Sequence, residues 1–269
     1  MGTLLGQPIV VDNRPGAGSS IAAEQIARAV PNGYTLLLGS VANAINASLQ
    51  RDLPFDFARD LTPVAPLVTV PNILVVHPSV EARSVSELIA VARGGAGDMF
   101  FGSSGVGTAP HLTGELFNLV SGSRMTHVPY PGSAQAVTDL LAGRVKVMFS
   151  PASTVLAHAR EGRLRALAST GPARTAAAPD LPTMEEAGLP GFQSAVWFGL
   201  YAPAATPRPV LARLAEAARA ALRTPGTKAQ LTAQGFDILE GGSDELARLT
   251  ADETAKWARV VEASGARTN

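Results

Sequence analysis

Short apolar segments alternate with amphipathic helical segments along almost the whole chain. The apolar stretches at 9–11, 34–38, 73–76, 145–149 and 164–168 each have the length and composition of a buried strand. Loops rich in small residues, or helix-capping patterns, separate them from the helical segments that follow. Such alternation predicts an α/β fold with largely parallel sheets, in which ligands bind at the carboxyl ends of strands. The functional residues are therefore expected in strand-to-helix loops.

The clearest of these loops reads Gly-Ser-Ser-Gly-Val-Gly-Thr over residues 102–108 and opens into a helical segment. The backbone N–H groups of such a small-residue loop can surround an anion, and a helix N-terminus adds a favourable dipole. Ser103, Ser104 and Thr108 offer hydroxyl donors, whereas residues 100–115 contain no Lys or Arg to clamp a polyphosphate. The loop favours a small carboxylate. A tight turn with a helix cap at Thr108 is the alternative.

Composition excludes several classes of protein. Basic and acidic residues are equal at 22 each and form no basic cluster, which argues against nucleic-acid binding. Cysteine is absent and the four histidines lack metal-ligand spacing, so we expect no disulfide, metal or cofactor. No apolar run approaches the roughly 18 residues needed to span a bilayer. Residues 1–13 lack the pattern of a signal peptide.

Six segments resemble, in this order, the substrate-binding proteins of tripartite tricarboxylate transporters, often called Bug receptors. They include the runs VVDNRPGAGSS, FGSSGVGTAPHLTGELF and HVPYPGSAQAVTDLLAGRVKVMF. The matching segments lie at 10–40, 59–80, 101–117, 127–149, 164–174 and 181–207. Because the resemblance runs through nearly the whole chain, it concerns the complete fold and not a single motif.

The resemblance implies a two-lobed periplasmic binding protein of type II, a Venus flytrap fold. Such a receptor closes around a small carboxylate and delivers it to a membrane permease. The first lobe is expected to comprise residues 1–100 and 200–269, and the inserted second lobe residues 101–199, with hinge crossings near 99–102 and 197–201. The resemblance also implies a periplasmic location and no enzymatic activity, and we expect a monomer.

The resemblance further implies a ligand site built from loops of both lobes. The second lobe contributes the carboxylate-cradling loop, the VPYxG segment and the end of the following strand. The first lobe contributes a facing loop, and an aromatic residue lies beside the hinge. The ligand-binding candidates are Ser40, Asn43, Ser103, Ser104, Gly105, Gly107, Thr108, Tyr130, Gly132, Ser133, Ser150 and Phe198. For Phe198 and its neighbour Trp197, ordinary core packing is the alternative.

The chain departs from the family pattern at two places. The strand VKVMF ends in Asp in the family but in Ser150 here. Because losing this anion removes repulsion toward a second carboxylate, or a partner for an ammonium, we expect a dicarboxylate or oxo-acid and not an amino acid. The resemblance also begins at the family's second strand. We therefore expect the first strand of lobe 1 and the leader to be absent, which would leave 9–11 and 35–38 without a shared neighbour.

Three other functions are alternatives to transport. Ser103 or Ser104 with His111 could suggest a hydrolase, but neither serine has the flanking glycines of a nucleophile elbow. The glycines at 16 and 18 follow an apolar stretch, as in a dinucleotide-binding loop, but the third small residue is replaced by Ile21. A receptor of this kind could also present its ligand-bound form to a signalling partner, which the sequence does not distinguish from transport.

Overall fold

The computed structural model of this protein is an α/β structure that describes residues 1–14, 16–50, 53–94 and 99–266. The helices are α1 Gly2–Leu5, α2 Ser20–Ala27, α3 Val41–Leu49, α4 Phe57–Asp60, α5 Val85–Gly94, α6 Ala109–Ser121, α7 Ser133–Leu141, α8 Ala152–Arg160, α9 Arg208–Arg223, α10 Pro225–Ala233 and α11 Ser243–Ser264. The strands are β1 Leu37–Ser40, β2 Leu61–Val76, β3 Phe100–Ser103, β4 Thr126–Pro129, β5 Val147–Pro151, β6 Arg165–Ser169, β7 Ala195–Pro203 and β8 Asp237–Ile238. Within these described ranges, no helix has the length and apolar character needed to cross a membrane.

The chain divides into two compact units. Unit 1 comprises Met1–Thr69 and Trp197–Arg259, and unit 2 comprises Val70–Val196 with the residues from Val260 onward. The second change of unit falls between Val196 and Trp197, and the lobe bounds and hinge crossings stay predictions. Residues 70–100, which the sequence analysis assigns to the first lobe, group with unit 2, because the second half of β2 pairs with β5 and β6.

Unit 1 contains a small sheet in which β7 lies between β1 and β2. Strand β1 runs antiparallel to β7, with Ser40 opposite Phe198, and β8 pairs with β2 at Val68. Helix α9 packs on this sheet through an apolar cluster that includes Leu200 and Leu214. The sheet edge beyond β1 has no partner strand among the described residues.

Unit 2 contains the sheet that carries the strand-to-helix loops. Strand β3 runs parallel to both β4 and β5, and β5 runs antiparallel to the second half of β2. Met148 packs with α7 and α8, whereas the adjacent Phe149 contacts Phe117 of α6 at a ring-centroid distance of 5.6 Å. Because neighbouring strand residues face opposite sides, α6 covers one face of the sheet and α7 with α8 the other. The carboxyl ends of β3, β4 and β5 therefore meet at one edge, where α6, α7 and α8 begin.

The strands predicted at 73–76, 145–149 and 164–168 are confirmed within one or two residues as parts of β2, β5 and β6. The strand predicted at 9–11 is wrong. These residues form no ladder, and the Val10 side chain is 85% exposed. The strand predicted at 34–38 begins only at Leu37, and Tyr34 is 82% exposed. Both segments carry the apolar pattern of a strand, but pairing also needs a neighbouring strand, and a single apolar segment does not specify one.

Candidate carboxylate-binding site

The loop between β3 and α6 has the backbone that its glycines predict. Gly105 and Gly107 have φ angles of 133° and 76°, in the left-handed region that side-chain-bearing residues rarely adopt. Ser103 is fully buried, and its hydroxyl accepts a hydrogen bond from the Gly105 N–H at 3.1 Å. Ser104 is half-buried. The Thr108 hydroxyl donates to the Gly105 carbonyl at 2.7 Å. The loop is therefore held by its own side chains.

These contacts leave only part of the loop backbone available to an anion. The N–H of Gly107 donates to His111 Nδ1 at 3.0 Å, and the N–H of Thr108 donates to the Gly105 carbonyl at 3.4 Å. No partner is found within the described part of the chain for the N–H of Ser104 or Val106. These two amides are the loop donors with remaining capacity, fewer than the sequence alone indicates.

Three helices begin at this edge without a side-chain cap. Thr108, Gly132 and Pro151 stand at the N-cap positions of α6, α7 and α8, and none of them bonds the first turn through its side chain. The first N–H groups of a helix have no partner inside the helix, and the helix dipole makes this end electropositive. The loops and first residues at 103–109, 130–134 and 150–154 contain no acidic side chain. The edge is therefore suited to an anion.

Tyr130 and Gly132 shape the second loop of the edge. The Tyr130 N–H donates to the Ser103 carbonyl at 3.1 Å, and its hydroxyl donates to Asp139 at 2.9 Å. The Arg144 guanidinium and the Tyr130 hydroxyl hold the pKa of Asp139 below its usual value, so this carboxylate stays charged and bonded. Gly132 has a φ of 119°, and the half-buried Ser133 is the first residue of α7. The tyrosine thus fixes the loop, and its hydroxyl is already bonded.

Ser150 lies at the end of β5, directly before the N-cap of α8. Its side chain is completely buried, and its hydroxyl has no hydrogen-bond partner among the described residues. It is paired with Ile73 in the β2–β5 ladder, and Ile73 packs against α7 and α8. A buried hydroxyl without a partner is uncommon in proteins, so this atom is a candidate for a contact that forms only with a ligand or water.

Two histidines form hydrogen bonds with the β3–α6 loop, His127 with Ser103 and His111 with Gly107. His127 Nε2 lies 2.6 Å from the Ser103 hydroxyl, and its ring stacks on His111 at a centroid distance of 3.8 Å. His111 Nε2 lies 3.6 Å from a carboxylate oxygen of Glu115. Burial lowers the pKa of His127 to about 3, so its ring is neutral near pH 7.

The serine–histidine pair differs from the pair considered in the sequence. Ser103 contacts His127 and not His111, which instead binds the loop amide of Gly107. The serine is fully buried, and the low pKa of His127 makes it a weak proton acceptor at neutral pH. These features favour a role in shaping the loop over nucleophilic catalysis. In the described ranges, no cluster of three or more His, Asp or Glu could hold a metal ion.

The three candidates of unit 1 lie close together at the end of β1. Ser40 caps α3: its hydroxyl accepts from the Ala42 N–H at 3.3 Å, while Asn43 Oδ1 accepts from the Ser40 N–H at 2.9 Å. Asn43 Nδ2 is buried and lacks a partner within the described chain, as does Nε1 of Trp197. Phe198 lies opposite Ser40 in the ladder and packs on Phe236 at a centroid distance of 6.4 Å. Unit 1 therefore has two buried donor nitrogens without a partner among the described residues.

Sequence reasoning did not assign a role to His127 or Asp139. His127 comes beside the loop because β4 pairs in parallel with β3, placing it opposite Phe101. The HVPY run signals a strand end, but it does not indicate which neighbouring strand it joins. Asp139 stands nine residues after Tyr130, so only the fold of α7 back onto its own loop brings the two together.

Known proteins resemble this chain over nearly its whole length. A sequence model of the tripartite tricarboxylate transporter family receptor matches residues 1–266. BugT of Bordetella pertussis is 37% identical over 265 residues, which cover 98% of this chain and 81% of that protein. A UPF0065 protein in the tcbD-tcbE intergenic region of a Pseudomonas species is 35% identical over 262 residues, covering 97% and 78%.

Solved structures also resemble this fold. Rpa4515 of R. palustris with adipate has a TM-score of 0.83 at 34% identity, covering 99% of this chain and 89% of that chain. MatC of Rhodopseudomonas palustris with bound malate has a TM-score of 0.79 at 31% identity, covering 97% and 90%. The predicted fold class, that of the periplasmic binding proteins of this family, is confirmed by these similarities. The protein belongs to the tripartite tricarboxylate transporter receptor family.

Proposed function

We propose that this protein is a periplasmic receptor that captures a small dicarboxylate and delivers it to the membrane subunits of a tripartite tricarboxylate-type transporter. Membership of the receptor family supports the role, and the adipate and malate named with two similar structures support the ligand class. The observation that carries the proposal is the edge of unit 2, where three uncapped helix N-termini meet with no acidic side chain in the loops.

The absence of acidic groups at this edge also bears on which carboxylate binds. An amino acid brings an ammonium group that needs a carboxylate or several carbonyl partners once it is desolvated. Ser150 offers a neutral hydroxyl at the end of β5. A ligand whose two ends are both oxygen acceptors therefore suits the edge better than aspartate or glutamate.

A panel of succinate, malate, adipate and aspartate tests the proposal directly. Succinate and aspartate differ only by the α-ammonium group, so the pair isolates the effect of that charge. At a hundredfold excess over its dissociation constant, a ligand stabilises the fold by about 2.7 kcal/mol. We expect thermal shifts and calorimetric binding for at least one dicarboxylate, with aspartate at least tenfold weaker than succinate. Tight aspartate binding would contradict the ligand class, and no binding of any member would contradict the proposal.

A proline substitution links this binding to the loop backbone. Val106→Pro removes one free N–H and follows a glycine, so the new ring meets no Cβ in the preceding residue. Val106→Ala keeps the N–H and loses only an exposed side chain. We expect the proline variant to bind the best dicarboxylate of the panel at least tenfold more weakly, with the alanine variant within twofold of the parent protein. Equal affinities of the proline and alanine variants would show that the loop amides do not bind the ligand.

A further inference from the structure

Four polar side chains of unit 2 form a buried group that contacts the first turn of α6, directly after the loop between β3 and α6. Because the proposed function places the carboxylate at residues 103–108, we call these residues the ligand loop. They belong to Asn72 on β2, Thr113 on α6, Thr170 after β6 and Ser194 before β7, and none is more than 1% exposed. We call this group the Thr113 cluster. Burying polar groups costs free energy unless they are hydrogen-bonded, so a cluster of this kind needs specific geometry to be tolerated.

The Thr113 hydroxyl is at the centre of the cluster. It donates to the carbonyl of Ala109 at 2.7 Å, lies 2.5 Å from the Ser194 hydroxyl, and accepts from Asn72 Nδ2 at 3.4 Å. A hydroxyl has one proton and two acceptor positions, so these three contacts use its full capacity. Ala109 is the first residue of α6 and directly follows Thr108 of the ligand loop. Thr113 therefore ties the first turn of α6 to two other chain segments.

Thr170 joins those two segments to each other. Its N–H donates to the Asn72 carbonyl at 2.9 Å, and its carbonyl accepts from the Ser194 N–H at 2.8 Å. Its hydroxyl accepts from the Asn72 N–H at 3.0 Å and also contacts the Ser194 carbonyl. The backbones of Asn72 and Ser194 thus belong to the same hydrogen-bond network as Thr113.

The two joined segments lie beside two of the three points at which the chain changes unit; the third follows Arg259 in α11. The chain passes from unit 1 to unit 2 after Thr69, three residues before Asn72, and returns after Val196, two residues beyond Ser194. The cluster therefore lies where a change in the first turn of α6 would reach these two connecting segments. Asn72 Oδ1 is buried without a partner among the described residues, so the network retains one unused acceptor.

We infer that Thr113 is a positioning residue of the receptor: its hydroxyl couples the ligand loop at the start of α6 to two of the three segments that connect unit 2 with unit 1. The inference rests on the proposed function for the meaning of the loop, but the coupling itself is a property of the ligand-free protein. Loss of the hydroxyl leaves Ser194, Asn72 and the Ala109 carbonyl without their shared partner. The loop and the connecting segments then fluctuate independently.

Amide hydrogen exchange of ligand-free protein tests the coupling. Thr113→Val keeps the side-chain shape and removes the hydroxyl, and Thr113→Ser restores it. Thr250→Val is a matched control, because Thr250 in unit 1 also bonds the carbonyl four residues earlier, at 2.7 Å, and a second hydroxyl, that of Tyr201 at 2.5 Å. We expect Thr113→Val to accelerate exchange at least fivefold both in 104–112 and in 190–196. Thr113→Ser and Thr250→Val should leave both segments unchanged.

Acceleration confined to α6, or an equal effect of Thr250→Val, would overturn the inference. Should Thr113→Val fail to fold, Ser194→Ala removes a single partner and is expected to accelerate exchange in 104–112, and unchanged exchange there would overturn the coupling. Binding of the best dicarboxylate of the panel is the second readout, with about tenfold loss expected for Thr113→Val and less than twofold for Thr113→Ser. If the parent protein binds no probe, the proposed function fails, and the exchange data alone decide the inference.

Discussion

Helices α3 and α6 begin in the same way in the sequence and differently in the structure. Each follows a short strand and has a hydroxyl residue at the N-cap, but α3 follows β1 directly, whereas a loop of small residues precedes α6. At α3, Ser40 and Asn43 form a reciprocal capping box that satisfies the first backbone amides. At α6, the Thr108 hydroxyl turns back to the Gly105 carbonyl and leaves the helix start uncapped.

The difference shows where binding capacity remains. In a capped helix, N-terminal N–H groups donate to the capping side chain, which stabilises the helix by typically about 1 kcal/mol. An uncapped one keeps these donors for a ligand. Sequence motifs predict both helix starts equally well, so only the direction of the side chain distinguishes a stable end from an open one.

The largest effect is expected at Gly107, in the loop before α6. Its φ of 76° forces a β-branched residue into a conformation that costs about 1–2 kcal/mol, and relief of that strain moves the loop amides. Gly107→Val should weaken dicarboxylate binding at least a hundredfold in calorimetry. Gly162, after α8, has a φ of 71° with open space around it, so Gly162→Val carries the same strain at a distance from the loop. Equal loss of affinity in both variants would contradict a specific role for the loop.

A smaller effect is expected on the pH dependence of stability, through protonation of His127. All four histidines of the chain lie in unit 2. The pKa of His127 falls to about 3 in the folded state, so only the unfolded state takes up this proton as the pH drops below about 6.5. The free energy of unfolding therefore decreases on acidification. Because His127 is only partly buried, its contribution to this decrease is limited to about 1 kcal/mol between pH 7 and pH 5. His127→Gln should flatten the dependence by that amount in urea unfolding at the two pH values. Unchanged slopes would show that His127 is not the group responsible.

The smallest effect is the difference in unfolding free energy between alanine variants of two serines at helix starts. Ser40 uses its hydroxyl in the cap of α3, whereas the hydroxyl of Ser133 at the start of α7 has no partner within the described chain. Ser40→Ala should lower the free energy of unfolding by about 1 kcal/mol, and Ser133→Ala by less than about 0.5 kcal/mol. Chemical denaturation measures both. The reverse order would mean that the capped and uncapped ends have been assigned incorrectly.

Much of the fold could be predicted from local patterns. The apolar runs that became β2, β5 and β6 are long enough, and buried on both faces, for their composition to identify them. The segment at 9–11 has the same composition but remains exposed, because β pairing is a long-range property that a single segment does not encode. The change of unit after Thr69 falls inside β2, and a continuous strand carries no break in its pattern that would indicate it.

For the candidate site, the sequence indicates the place of the loop along the chain better than the contacts that its side chains make. The glycines at 105 and 107 indicate a loop of small residues, and in the structure both adopt the positive φ that glycine permits. Ser103 was expected to donate to a ligand, yet it is buried and bonded to His127 and Gly105. The role of Ser103 as a ligand contact, like that of the other candidates, stays a prediction. Its partner comes from β4, which no spacing along the chain indicates.

The sequence by itself determined the family, the alternation of strands and helices, and the glycines that permit an anion-binding loop, because these depend on residue type and local order. Only the tertiary structure decided which donors of that loop remain free, which hydroxyls are already bonded, and which buried atoms such as Ser150 Oγ lack a partner. The physical reason is that a donor forms its bond with whichever acceptor the packed chain brings within about 3 Å, and strand pairing sets that neighbour.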